Sequence, residues 1–376
     1  MDRDIDDEFR QHREHFELLD DIVGRRQGRR ARNPSVFKRR LDPLSALSDT
    51  EFKSHYRVNK PTVLKLAEVL GLAPGNFRGR PLSAVQQVCV ALNFYGGGHF
   101  TRVAGLCQGV SQKAAWWAIR RVTNKLCEMK DVFIVLPTDE EMAETANDLY
   151  ARFGLPRFAW GIDCVVVKFT EAPRKIPEGT VKQNFWSRKM CYGLNVQIVG
   201  NHKRLILDID ANWFGSANDA RIWKNSAVKT VIESQQGATP FLLAGDSAYP
   251  LSPFLITPYT TEEALNDPTK RRFNRKLSGL RTVVTENVFG VMKRRFPVLN
   301  MLRANRDNAR KHVIAIACVH NICIRWDDED PNGPPPPPTI PPDVDNAHHF
   351  TVDATRLAGL LTRDELRLAM DTRGRR

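Results

Sequence analysis

Along residues 48–130 apolar positions recur every three or four residues, the period of helices that bury one face. Asp49-Thr50-Glu51 leads into Phe52. Asn59 with Pro61 opens a helix over 61–70, and Gly71 closes it. Ser83 starts a third over 84–95, stopped by Gly96-Gly97-Gly98. A short segment, 100–107, is followed by Gly109-Val110 and by Ser111, an N-cap for the helix that begins at Gln112. Short helix, glycine turn and second helix make a helix-turn-helix-like layout, with Gln112, Lys113, Arg120 and Arg121 as candidate DNA contacts. The competing reading is an ordinary small helical domain with Trp116 or Trp117 in its core.

Past residue 157 the period changes. Residues 131–157 are a connector whose helix starts at Thr138-Asp139-Glu140-Glu141 and ends at Gly154. Short β-branched apolar runs at 158–169, 192–199 and 205–213, with a turn at Gly200-Asn201-His202, predict an antiparallel meander. A helix over 220–234, a strand from Phe241 and a helix opened by Glu286, with Phe289, Met292 and Phe296 on one side, complete a mixed α/β domain over 158–325.

Three acids break this pattern in places suited to a cation. Asp163 interrupts a buried strand, Asp246 follows the run 241–245 where a strand exits, and Glu286 begins a helix. Two strand carboxylates and one helix carboxylate are the oxygen-donor set that holds Mg²⁺ or Mn²⁺ and leaves positions for water and phosphate. Such ions activate a water or a 3′-hydroxyl for in-line attack at phosphorus. Asp219 rivals Asp246 for the second position, although its place before residue 220 suits an N-cap; Asp208 and Asp210 read as solvated. Arg188, Lys189, Lys293, Arg294 and Arg295 are placed to meet phosphate, Lys293 lying two helical turns beyond Glu286. His320, between Cys318 and Cys323, lacks zinc spacing and reads as core.

Charge adds a partner class. The 376 residues carry a formal charge of +13, which favours a polyanion, nucleic acid before membrane. Within the N-terminal segment 1–47, Arg25, Arg26, Arg29, Arg30, Arg32, Lys38, Arg39 and Arg40 form a basic arm for nuclear import or backbone contact, or else a solvated linker. Seven scattered cysteines without C-x-x-C predict a reducing compartment. No apolar run suits a membrane helix and the acidic first residues lack a signal-peptide core. Residues 326–350, with Asp327-Asp328-Glu329-Asp330 and a proline run, read as a disordered linker, and 351–376 as a C-terminal helix with a basic tail.

The surrounding motifs resemble the nuclease domain of the Harbinger superfamily of DDE transposases and the host nucleases derived from them. They are Gly161-Ile162-Asp163, Ser187-Arg188-Lys189 through Gln197, Phe214-Gly215-Ser216 through Trp223, Ala244-Gly245-Asp246-Ser247-Ala248-Tyr249-Pro250, Asn274-Arg275, Glu286-Asn287-Val288-Phe289-Gly290 through Phe296, and His320-Asn321-Ile322. The similarity covers about 155–325, and the helical part over 48–130 fits the family's N-terminal DNA-binding region. The resemblance implies an RNase H-like nuclease domain, catalytic and metal-ligating Asp163, Asp246 and Glu286, a divalent cation, and a separate Myb-like partner for targeting. The chain departs at Cys164, where glycine is common, and at Ala217-Asn218, where Thr-His is usual. The expected protein is a nuclear DNA endonuclease of transposase type, its presence in the cytoplasm and its self-association left open. The alternatives are a catalytically inactive DNA- or chromatin-binding descendant and an RNA-directed RNase H-like nuclease.

Overall fold

The computed structural model describes residues 40, 42–74, 81–98, 100–174, 176–234, 241–333 and 353–373. Of the basic arm, Arg25, Arg26, Arg29, Arg30, Arg32, Lys38 and Arg39 lie outside these residues; Arg40 donates to the Pro81 carbonyl at 3.2 Å.

The helices begin where the caps predict. α1 (Asp49–Tyr56) carries a full capping box between Ser48 and Glu51. α2 (Lys60–Leu70) ends at Gly71 in the left-handed region, with φ 54°. α3 (Ala84–Gly97), α4 (Thr101–Cys107) and α5 (Gln112–Glu128) follow, and Ser111 caps α5 through the Ala114 amide. α6 (Asp139–Phe153) leads to the sheet.

The sheet has five strands in the order β3-β2-β1-β4-β5. β1 (Phe158–Lys168), β2 (Gly193–Gly200) and β3 (Ile206–Phe214) are antiparallel neighbours, as the alternating runs predict. β4 (Leu242–Ala244) and β5 (Leu255–Ile256) join parallel to β1. This mixed order is the one the resemblance implies.

The helical segment expected over 220–234 is two helices, α7 (Asp219–Lys224) and α8 (Ala227–Ser234), parted at Asn225 and Ser226. Glu286 does not open a helix. It ends a π-turn, Thr282–Glu286, that joins α9 (Pro268–Arg281) to α10 (Asn287–Arg295) as one continuous rod. α11 (Arg306–Arg325) and α12 (Ala354–Arg373) complete the described chain. No helix among the described residues is long and apolar enough to cross a membrane.

Side-chain alternation divides the sheet into two faces. Trp160, Ile162 and Cys164 of β1 pack with Ile222, Trp223, Val228 and Ile232 of α7 and α8. Val167, on the opposite face, joins Val288, Phe289 and Met292 of α10 and the α11 core. That cluster continues without a break into Phe52, Leu66, Leu92 and Ile119, so helical segment and sheet share one core.

The segment read as disordered is anchored at its start. Asp328 is buried, and its carboxylate accepts from Arg295 Nη2 at 2.6 Å and the Asn59 amide at 2.7 Å. Arg295 donates further to the carbonyls of Arg57, Asp328 and Glu329. Composition alone predicted solvation for four consecutive acidic residues; a cation supplied from 33 residues away reverses it.

Candidate active site

β1 and β4 bring the two aspartates together by register. Gly161 pairs with Ala244 across the parallel strands, so Asp163 and Asp246 each stand two residues beyond the same rung. Neighbouring strands run about 4.8 Å apart, which makes the two side chains lateral neighbours. The Asp163 carboxyl is pushed up to about 7, first by burial and then by the charges of Asp246 and Asp219, while the Arg281 guanidinium opposes the rise. Both aspartates also take a local amide: Asp163 Oδ1 from Cys164 at 2.8 Å, and Asp246 Oδ1 from Ala248 at 3.0 Å.

The helix that delivers Glu286 is seated by missing side chains. A Cβ on Gly161 would lie 2.2 Å from Val284 Cγ2, and one on Gly200 would lie 2.6 Å from the Val284 carbonyl oxygen. The π-turn therefore lies directly on β1 and β2. Its extra residue per turn advances Glu286 around the helix toward Asp163, a placement typical of π-bulges at functional sites. Asp163 and Glu286 line one cavity of about 220 Å³ together with Val165, Ile198, Phe289, Gly290 and Lys293. Among the described residues no side chain donates a hydrogen bond to the Glu286 carboxylate.

Lys293 faces that cavity with its ammonium 5.2 Å from the Phe289 ring centroid. Burial, then Lys189 and Lys168, draw its pKa down to about 8. The other predicted phosphate contacts divide. Arg188 is half exposed and donates to Asp219 at 3.0 Å, and Lys189 is exposed. Arg294 is committed to Asp330 at 2.8 Å, and Arg295 is buried against Asp328. The expectation that Arg294 and Arg295 meet DNA is corrected: in a helix every third or fourth residue turns inward, and theirs turns to the acidic tail.

Asp219 is corrected as well. Asn218 caps α7, and Asp219 is its first residue, 2% exposed. Its oxygens accept from Asn195 Nδ2 and Arg188 Nη2, both at 3.0 Å. It is a buried anchor for Arg188. Asp208 and Asp210 are not simply solvated: burial raises the Asp208 pKa, and Asp210 accepts from Trp213 Nε1 at 2.8 Å. His320 is core, its Nε2 donating to the Arg204 carbonyl at 2.8 Å.

On the helical segment, Gln112, Lys113 and Arg120 are exposed. Arg120 lies over the rings of Trp116 and Trp117, and Arg121 turns back to the Ala73 carbonyl at 2.9 Å. Both tryptophans are about 40% exposed, so neither is core.

Arg281 is the residue that sequence reading missed. It precedes Glu286 by one π-turn and its charge reaches Asp163. A five-residue spacing signals nothing in a helix read at 3.6 residues per turn.

The donor chemistry of this site fits a hard cation: carboxylates crowd Asp163 and their mutual repulsion is what a cation would relieve. Among the described residues no three His, Cys, Asp or Glu side chains cluster tightly enough to share one ion. The neighbours fall instead into two pairs with Asp163 in common.

Comparison with known proteins gives a family match and relatives. Residues 162–321 match the family model described as DDE superfamily endonuclease. The chain is 27% identical to the Homo sapiens protein named "Putative nuclease HARBI1" over 318 residues, covering 82% of this chain and 88% of the relative. It is 27% identical to the Xenopus laevis protein of that name over 291 residues, 76% of this chain and 81% of the relative. The Arabidopsis thaliana protein named "Antagonist of like heterochromatin protein 1" is 24% identical over 298 residues, 73% of each chain. No solved structure matches.

Proposed function

We propose, from the match of residues 162–321 to the DDE superfamily endonuclease model and the similarity of the chain to the proteins named "Putative nuclease HARBI1", that it is a divalent-metal-dependent DNA endonuclease. Asp163 carries the reading, because its carboxylate neighbours Asp246 on one side and borders the Glu286 cavity on the other. Asp163 is the carboxylate common to both pairs, Asp246 and Glu286 the outer ones. A bound Mg²⁺ or Mn²⁺ would neutralise these acids and lower the pKa of an attacking water or 3′-hydroxyl. Lys293 faces the same space and would hold a phosphate oxygen there. Arg188, oriented by Asp219, and Lys189 would hold the backbone beside it without reading bases. Arg281 opposes the burial that favours the protonated form of Asp163.

A supercoiled-plasmid nicking assay tests the proposal. With Mn²⁺ the chain is expected to nick, and Asp163→Asn, Asp246→Ala and Glu286→Gln each to lose on the order of 10³-fold, about 4 kcal/mol of transition-state stabilisation. Unchanged nicking by Asp246→Ala would overturn the site. Asp219→Asn, in contrast, should impair the enzyme chiefly through loss of Arg188 orientation, showing in KM more than in kcat.

A second reading rests on the lack of a three-acid cluster among the described residues: a DNA- or chromatin-binding protein without catalysis. Titration calorimetry separates the two. No heat of Mn²⁺ binding at millimolar concentration, together with no nicking, favours the binding protein. Nuclear residence through the arm at residues 25–40 and a Myb-like targeting partner belong to the same proposal. A fluorescent fusion lacking 25–40 that still concentrates in nuclei, or affinity capture that returns no Myb-like protein, would remove the respective part.

A further inference from the structure

The connection between β1 and β2 ends in a turn with an exposed apolar apex. Ser187 closes it, its amide and its hydroxyl both donating to the Cys191 carbonyl at 2.9 Å, and the Met190 amide returns to the Ser187 carbonyl at 3.0 Å. At the base Trp186 bridges to Tyr192, their rings edge-on with centroids 4.9 Å apart. Met190 stands at the tip with φ 56°, in the left-handed region, where a non-glycine residue costs about 1–3 kcal/mol. It is 75% exposed, the most exposed large apolar side chain among the described residues.

This tip is next to the proposed chemistry. Arg188, two positions before it, is tied to Asp219, which also accepts from Asn195 of β2, the strand paired with the β1 that carries Asp163. Lys189, immediately before it, is close enough that its charge lowers the pKa of Lys293 in the Asp163–Glu286 cavity. An uncharged, flexible thioether is thus held out in solvent at the tip of a basic turn, outside the apolar clusters of the described residues. What the neighbouring cations would bring against it is the nucleic-acid backbone, and beyond the backbone, stacked bases.

We propose that Met190 is a wedge that enters the duplex beside the phosphate presented to Asp163, unstacking the adjacent base while Arg188, Lys189 and Lys293 hold the flanking phosphates. The proposal rests on the endonuclease reading and adds to it a substrate preference. Apolar side chains, methionine among them, are used in this way between base steps. Unstacking costs a few kcal/mol on paired DNA and least where a base is missing or mismatched. A substrate already lacking that base has no need of the wedge.

The test uses the full chain with Mn²⁺, a duplex whose cut position has been mapped, and the same duplex with one abasic site beside the cut. Met190→Ala is expected to slow cleavage of the paired duplex roughly tenfold or more, the effect of about 1.4 kcal/mol, and to leave the abasic duplex within about twofold. Met190→Leu should cut both as the parent does. An equal loss on both duplexes, or no loss on either, overturns the wedge. Fluorescence reads it without cleavage. On binding Asp246→Ala, a 2-aminopurine scanned along the duplex should brighten at one position, and adding Met190→Ala should abolish that signal. If the parent cuts nothing, the endonuclease reading fails, and the scan decides the wedge: no brightening at any position, or brightening that survives Met190→Ala, overturns it.

Discussion

The turn at Arg188-Lys189 and the end of α10 at Lys293-Arg294-Arg295 look alike in sequence: both are short basic words beside motifs of the same domain. In the fold they have opposite fates. The turn leaves Lys189 exposed and holds Arg188 half exposed, braced from beneath by Asp219. On α10 Lys293 faces the Asp163–Glu286 cavity, whereas Arg295 is driven inside against Asp328 and Arg294 is held by Asp330. A basic word near an active site thus divides by whether an acid elsewhere in the chain claims each cation before DNA can. The claimed ones stabilise the seam between α1, α10 and the tail, and the unclaimed ones are left for a ligand.

The largest break in this comparison is expected from Arg295→Ala. It strands a buried carboxylate at Asp328 and three carbonyls, of Arg57, Asp328 and Glu329. Loss of one partner of a buried pair typically costs about 3–5 kcal/mol. Urea unfolding should show a midpoint shifted far down, and Asp328→Ala a similar fall. A double variant that replaces both by apolar residues should recover part of the loss, because the uncompensated charge is then gone. A stability within about 0.5 kcal/mol of the parent would contradict the claim that Arg295 is structural.

Acid should loosen the core around α11 next. His320 and His312 on α11 are buried neutral, each held down to about 4 by burial, and the Arg295 charge contributes at His320. His312 is surrounded by the rings of Phe94 and Tyr95. A histidine whose folded pKa is depressed contributes stability that is present above its unfolded value, about 6.5, and is lost as pH falls toward 4. By pH 5 each would have given up about 2 kcal/mol. Thermal melts between pH 7.5 and 5 should fall steadily, and His312→Phe should flatten the decline. The Ser187–Cys191 turn contains no histidine, so its own conformation should not follow this titration.

How much of this could be read beforehand depends on the range of the interaction. β1 to β3 and α1, α2 and α5 lie within a residue or so of where alternation, caps and glycine stops put them, because those signals are local. Asp163 in a strand and Asp246 at a strand exit were legible for the same reason. The π-turn was not, since Thr282–Glu286 has the composition of an ordinary helix and the extra residue is imposed by close packing on Gly161 and Gly200. Nor was Asp219, which looks like a cap until Asn195 and Arg188 draw its carboxylate inward. The pairing of Arg295 with Asp328 joins segments that no period or motif connects. What sequence missed is therefore the set of charges whose partners are distant in the chain.

The smallest expected effect is also the most direct probe of the unclaimed cations. Lys189 is exposed and bonded to no side chain among the described residues, so Lys189→Ala should leave stability within about 0.5 kcal/mol of the parent. If Lys189 neutralises one phosphate, the slope of log affinity against log salt for duplex DNA should shrink by about one, uniformly across sequences. The seam cation supplies the control: a conservative Arg295→Lys, studied where it remains folded, should leave that slope unaltered while lowering stability, because lysine lacks the fork that serves four acceptors. A slope unchanged by Lys189→Ala and reduced by Arg295→Lys would reverse the assignment of the two basic words. In that case the buried pair would have to open for DNA, and the α10 end rather than the Ser187–Cys191 turn would carry the backbone contact.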